Sequence, residues 1–104
     1  MDISSLRERR AESTLTVSEL NKYVKDIFDR DRVLSAVSVR GEISNFVCHS
    51  TGHFYFSLKD GEGQIRCVMF RSMASRLKFM PESGMKVILR GSVTVSVRDG
   101  SYQI

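Results

Sequence analysis

Residues 53–70 read HFYFSLKDGEGQIRCVMF, and their alternation decides the fold. In the first half Phe54, Phe56 and Leu58 fall on one side, with His53, Tyr55, Ser57 and Lys59 on the other. That period of two is the signature of a half-buried strand. DGEG (60–63) interrupts it, and an Asp-Gly pair suits the positive φ angles of a tight hairpin. The return run places Ile65, Cys67 and Met69 in phase, against Gln64, Arg66, Val68 and Phe70. The second face is mixed, so this strand is expected to be partly covered on both sides.

Upstream, VSVRGEISNF (37–46) alternates as well, with Val37, Val39 and Ile43 opposed to Ser38, Arg40, Glu42 and Ser44. Gly41 interrupts the run, where glycine marks a bulge or a bend. VCHSTG (47–52) then reads as the loop between the first two strands. Before them, Thr16 and Glu19 form a capping-box pattern, and Val17, Leu20, Val24, Ile27 and Phe28 follow at helical spacing. A helix over 17–29 is expected, preceded by a polar, disordered arm over 1–14.

Downstream, Phe70, Met73, Ala74 and Leu77 mark one side of a short helix. MKVILRGSVTVSVR (85–98) reads as one long strand with Val87, Leu89, Val93, Val95 and Val97 inward and Gly91 as a bend point. Asp99-Gly100 reads as a turn, and SYQI (101–104) is expected to be a truncated fifth strand. The class is therefore mainly β with some α, and another small α+β sheet fits the pattern too. Three strands, a short helix and a hairpin, led by an N-terminal helix, is the order of a five-stranded OB barrel over 15–104. A short fifth strand leaves an open sheet edge, through which two copies of the chain could pair as a homodimer.

With 104 residues the chain suits one small domain. No apolar run approaches the roughly 20 residues that span a bilayer, so no membrane contact is expected. The start, MDISSLRERRAES, lacks the apolar stretch of a secretion signal, and two cysteines then read as reduced thiols in a cytoplasmic protein. Net charge is +4, and its placement matters. Residues 1–36 balance seven Lys/Arg with seven Asp/Glu, whereas 37–104 carry nine against five. A basic excess confined to the β region favours an anionic partner, nucleic acid first.

Cys48, His49 and His53 invite a metal or nucleophile reading. Adjacent residues of an extended chain point opposite ways, His49 and His53 flank a turn, and Cys67 is in phase with the core. A Cys–His nucleophile would need both side chains in hydrogen-bond reach and a third orienting group. No paired-acid motif, serine elbow or phosphate-binding loop is present. No catalytic residue, metal site or cofactor is assigned to this chain. OB-type readers use strands two and three and the loop between strands one and two. That surface would carry Arg40, Phe46, His49, His53, Tyr55, Lys59 and Arg66, with Arg71, Arg76, Lys78 and Arg90 able to widen it. Bases stack on aromatic faces while phosphates pair with cations. Two alternatives stay open: Phe46 turns inward if a bulge at Gly41 resets the strand, and Tyr55 packs beneath the N-terminal helix. The same face could instead seat a protein, making the chain an interaction module, or RNA in place of DNA.

LTVSELNKYVKDIF (15–28), VRGEISNF (39–46), HSTGHFYFSLKD (49–60), IRCVMFR (65–71) and GMKVILRGSVTV (84–95) together resemble the amino-terminal region of the exodeoxyribonuclease VII large-subunit family. The resemblance covers 15–104. It implies an OB-type nucleic-acid-binding domain, followed in the family by a catalytic domain and a helical region that recruits several small subunits. It further implies a cytoplasmic hydrolase that degrades single-stranded DNA from either end to short oligonucleotides. This chain holds only the first of those parts, so the family's catalytic residues lie elsewhere, and the chain alone is expected to be inactive. The barrel face above would bind or guide the strand.

Overall fold

The computed structural model describes residues 14–104. Apart from Thr14, the arm expected over 1–14 lies outside the described residues. Helix α1 spans Val17–Arg30, and its capping box forms as read: Glu19 N–H donates to Thr16 Oγ1 at 3.1 Å, and Thr16 N–H to Glu19 Oε1 at 2.9 Å. The Asp31 carboxylate then accepts Val33 and Leu34 N–H at 2.9 and 3.0 Å, turning the chain toward the sheet. No residue of α1 is fully buried. The apolar stripe splits: Val24 and Phe28 are half-buried, while Val17, Leu20 and Ile27 stay exposed.

The strands are β1 (Val37–Cys48), β2 (Phe54–Lys59), β3 (Gln64–Met69), β4 (Lys86–Gly91), β5 (Thr94–Ser96) and β6 (Ser101–Gln103), with a single-turn helix α2 (Arg71–Ala74) after β3. Their order in the sheet is β4-β1-β2-β3-β6-β5. All pairs are antiparallel except β3 with β6. The long strand expected over 85–98 is thus two strands. One half pairs with β1 at one end of the sheet, and the other pairs with β6 at the opposite end. Only Ser92 and Val93 separate them, so the chain itself spans the gap in the ladder. Counting β4 and β5 as one broken strand, the order is the OB order: first, second, third, fifth, fourth, with the fourth returning to the first. At the break, Val93 N–H leaves the ladder and donates to Leu34 O at 2.7 Å. That non-local bond satisfies a donor which the bend would otherwise strand.

β6 is not an edge. It is flanked by β5 on one side and β3 on the other, and Ile104 continues the ladder: its N–H donates to Arg66 O at 3.0 Å, and its carbonyl accepts Val68 N–H at 2.9 Å. The homodimer expected from an open fifth strand loses that premise. α1 lies on the β5–β6 hairpin. Asn21 Nδ2 donates to Val97 O at 2.9 Å, Thr94 Oγ1 to Asp29 Oδ1 at 2.6 Å, and the Phe28 and Tyr102 rings are 6.2 Å apart.

The β2–β3 turn also differs from expectation. Neither Gly61 nor Gly63 takes a positive φ. Instead the Asp60 carboxylate accepts Glu62 and Gly63 N–H at 2.8 and 2.9 Å, which holds its pKa below the usual range. The expected second helix shrinks to one turn. Phe70 keeps extended backbone (φ −71°, ψ 153°) as its N-cap. Ala74 is buried and Leu77 half-buried, but Phe70 and Met73 are exposed.

The core is Ile43, Phe54, Phe56, Leu58, Cys67 and Ala74, and Val39, Ile65, Met69 and Leu89 pack around it. Burial pushes the Cys67 thiol up from an ordinary 9.0 to about 11, whereas Cys48 is exposed. Thiolate is the reacting form. In the native protein at pH 8, a thiol reagent should therefore modify Cys48 rapidly and Cys67 only on unfolding. Two fast thiols would contradict this core. Because folding raises the Cys67 pKa, its contribution is complete below about 9 and is lost as pH rises through about 11.

Candidate nucleic-acid interface

Cross-strand partners share a face of a sheet, so the register fixes what the barrel shows to solvent. Across β1, β2 and β3 the outward rows are Glu42–Lys59–Gln64, Ser44–Ser57–Arg66 and Val47–Tyr55–Val68. The β1–β2 register slips between Ser44 and Val47, and Asn45 there takes φ 52°. A bulge puts two residues opposite one and resets the alternation. The reset occurs at Asn45 and not, as one alternative had it, at Gly41. It turns Phe46 inward, with its ring 5.1 Å from that of Phe54 and 6.2 Å from that of Phe56. Phe46 therefore belongs to the core wall and not to the outer face.

The bulge also sends Asn45 and Val47 outward. With Tyr55, Ser57, Arg66, Val68, Asp99 and Gln103 they line a cleft of about 390 Å³. Tyr55 is 40% exposed, so it does not lie beneath α1, and the His49 ring meets it edge-on at 6.2 Å. Arg66 Nη1 stands 3.8 Å from Asp99 Oδ2, both well exposed. Such a pair contributes little to stability and leaves the guanidinium free to take another anion.

Arg40 and Lys59 lie further along the same outer face. They line a second cleft of about 680 Å³ with Glu42, Asp60 and Lys86. Lys59 Nζ is 3.8 Å from Glu42 Oε2, another exposed pair.

The β1–β2 loop is tight: His49 N–H donates to His53 O at 2.9 Å and Gly52 N–H to His49 O at 2.8 Å. Gly52 takes φ +90°, a conformation that favours glycine. Thr51 N–H donates to His49 Nδ1 at 3.2 Å, which leaves Nε2 as the donor of the neutral ring. His53 is tied to the next element. Its Nδ1 accepts Arg71 N–H at 2.8 Å, and its ring meets Phe70 edge-on at 5.5 Å. It holds the start of α2 and is not a free loop contact.

Tyr55 and Arg66 thus share one cleft, with His49 at its rim; Arg40 and Lys59 share another; Phe46 and His53 serve packing and positioning. The sequence reading missed Asp99 and Gln103, which reach the cleft only through the parallel pairing of β6 with β3. Among the described residues, no group of three or more His, Cys, Asp or Glu side chains could hold a metal ion, and no helix is long and apolar enough to cross a membrane.

The family described as "OB-fold nucleic acid binding domain" matches residues 15–104. The chain is 60% identical over 90 residues to the exodeoxyribonuclease 7 large subunit of Clostridium acetobutylicum, covering 86% of this chain and 23% of that protein. It is 58% identical over 91 residues to the protein of that name in Clostridium botulinum strain Hall, covering 88% and 23%. For that of Clostridium tetani the figures are 54% over 90 residues, 86% and 23%. The resemblance read from the motifs holds in these comparisons, and the chain spans about a quarter of the length of the curated relatives it matches. The matched segment takes in every element from α1 to β6, and the chain belongs to the family of OB-fold nucleic-acid-binding domains.

Proposed function

We propose that this chain is the single-strand DNA-binding domain of a cytoplasmic exodeoxyribonuclease VII large subunit. It holds the strand for a catalytic domain that hydrolyses it exonucleolytically to short oligonucleotides. In this reading the chain supplies no catalytic group, and the small subunit docks on parts of the large subunit that the chain does not span. The observation that carries the proposal is the pairing of an exposed aromatic with cations on one sheet face. Tyr55 offers a stacking surface, while Arg66 in the same cleft and Lys59 and Arg40 beyond it meet phosphates. His49 supplies a donor at the rim. Stacking accepts any base, so binding should depend little on sequence.

Fluorescence anisotropy with a labelled single-stranded oligonucleotide tests this. Tyr55→Ala should weaken binding about tenfold, within the range for losing one base–aromatic stack. The phosphate contacts of Arg40, Lys59 and Arg66 contribute about −2 to the slope of log affinity against log salt, so through them alone a fourfold rise in salt lowers affinity about 20-fold. An oligonucleotide that ignores the chain at low salt, or binds Tyr55→Ala as tightly as the parent, rejects the reading. Competition with RNA of the same sequence separates the DNA and RNA alternatives.

A further inference from the structure

Phe70 lines neither of the two clefts. It is a large ring with 61% of its surface exposed, on a chain whose other phenylalanines of the sheet pack inward. The ladder shows where it stands. Phe54 pairs with Met69 and Tyr55 with Val68, so Phe70 comes opposite His53, on the same outer face as Tyr55. Its extended backbone keeps it in phase with β3 although α2 begins at the next residue. Phe70 is therefore the diagonal neighbour of Tyr55, at the roughly 7–8 Å that separates such positions. Adjacent bases splayed from a single strand can span that separation.

The ring is also held. His53 meets it edge-on at 5.5 Å, and the same imidazole accepts the Arg71 N–H at 2.8 Å. The Arg71 stem lies across the β1–β2 loop: a Cβ on Gly52 would stand 2.8 Å from both its Cγ and its Cδ. Among the described residues, Arg71 pairs with no carboxylate. An exposed, oriented ring, diagonal to Tyr55 on the same sheet face and beside a guanidinium with no carboxylate partner among the described residues, has the composition of one more nucleotide position.

We propose that Phe70 is a second stacking platform, which takes the base next to the one on Tyr55, and that Arg71 takes the adjoining phosphate. His53 and Gly52 act as positioning residues. The proposal rests on the single-strand-binding reading above and extends its track past the strands onto α2.

The test is anisotropy of the 104-residue chain with a labelled oligothymidylate of about ten nucleotides, within the site sizes of such folds. Phe70→Ala should weaken binding about tenfold with an unchanged melting temperature, since the ring is exposed. Phe70→Trp should restore it. Arg71→Gln should lower the slope of log affinity against log salt by about 0.7. If the parent chain binds and Tyr55→Ala weakens it, but Phe70→Ala binds like the parent, this inference is overturned while the Tyr55 reading stands. Failure of Phe70→Trp to restore binding also overturns the stacking role. No binding by the parent chain overturns both readings.

Discussion

Phe56→Ala should destabilise the chain by about 3–5 kcal/mol, the usual loss for a buried phenylalanine cut to alanine. Phe56 sits mid-way along β2, 6% exposed, opposite Cys67 and under the Phe46 ring at 6.2 Å. The surroundings cannot close the hole cheaply, because Phe54 and Leu58 are themselves buried on the same strand. The effect is large relative to what is available. A domain of this size has roughly 5–15 kcal/mol in all, and among the described residues its core cluster has only six buried members, none from α1. Urea titration followed by circular dichroism should show the midpoint falling by a large fraction. Tyr55→Ala, one residue away on the opposite face, should change the unfolding free energy by about 1 kcal/mol or less. Comparable losses at both positions would mean that β2 is not held one face in and one face out.

That alternation is why β2, β3 and most of their outward residues were legible. Phe54, Phe56 and Leu58 against Tyr55, Ser57 and Lys59 leave one arrangement that buries the apolar set. The helix start was legible for an equally local reason, since Thr16 and Glu19 are three residues apart. What escaped depends on bonds between distant residues. Phe46 turns inward because the bulge at Asn45 is braced by the segment before β4: Phe46 N–H donates to Ser83 Oγ at 3.1 Å and Gly84 N–H to Ile43 O at 2.8 Å. Nothing in 37–46 announces residues 83 and 84. The break at Ser92–Val93 was hidden for a different reason. Val87, Leu89, Val93 and Val95 keep their period across it, and periodicity records where side chains point, not which strand the backbone bonds. His53 looked like a loop residue because its partner, the Arg71 N–H, lies 18 positions away. Phe70 satisfied two patterns at once, the outer face of β3 and the inner side of a helix, and only its extended backbone decides for the strand.

The glycine at 41 illustrates the same limit, and it carries the other large prediction. A mid-strand glycine suggested a bulge, yet β1 pairs regularly through it, opposite Val87 of β4. Its φ is not positive, so conformational freedom is not the reason for it. The reason is closeness. A Cβ built there points inward and would stand 2.7 Å from Leu58 Cγ and 2.9 Å from the Lys59 carbonyl oxygen. Leu58 is 2% exposed and has nowhere to retreat, and the carbonyl belongs to the neighbouring strand. Gly41→Val should therefore cost about 3 kcal/mol or more, at or beyond the upper end of ordinary overpacking. Crowding and backbone strain make different predictions for a double mutant. If crowding against Leu58 is the cause, Leu58→Ala opens the space that valine needs. The pair should then be less destabilised than the sum of the two single changes, with the shortfall reading the coupling. Urea titrations of the parent, the two single variants and the double variant measure it. Strict additivity would remove Leu58 as the cause and leave the Lys59 carbonyl alone. In that case the displaced segment is the wall of the Arg40–Lys59 cleft, and Gly41→Val should weaken DNA binding as well as folding.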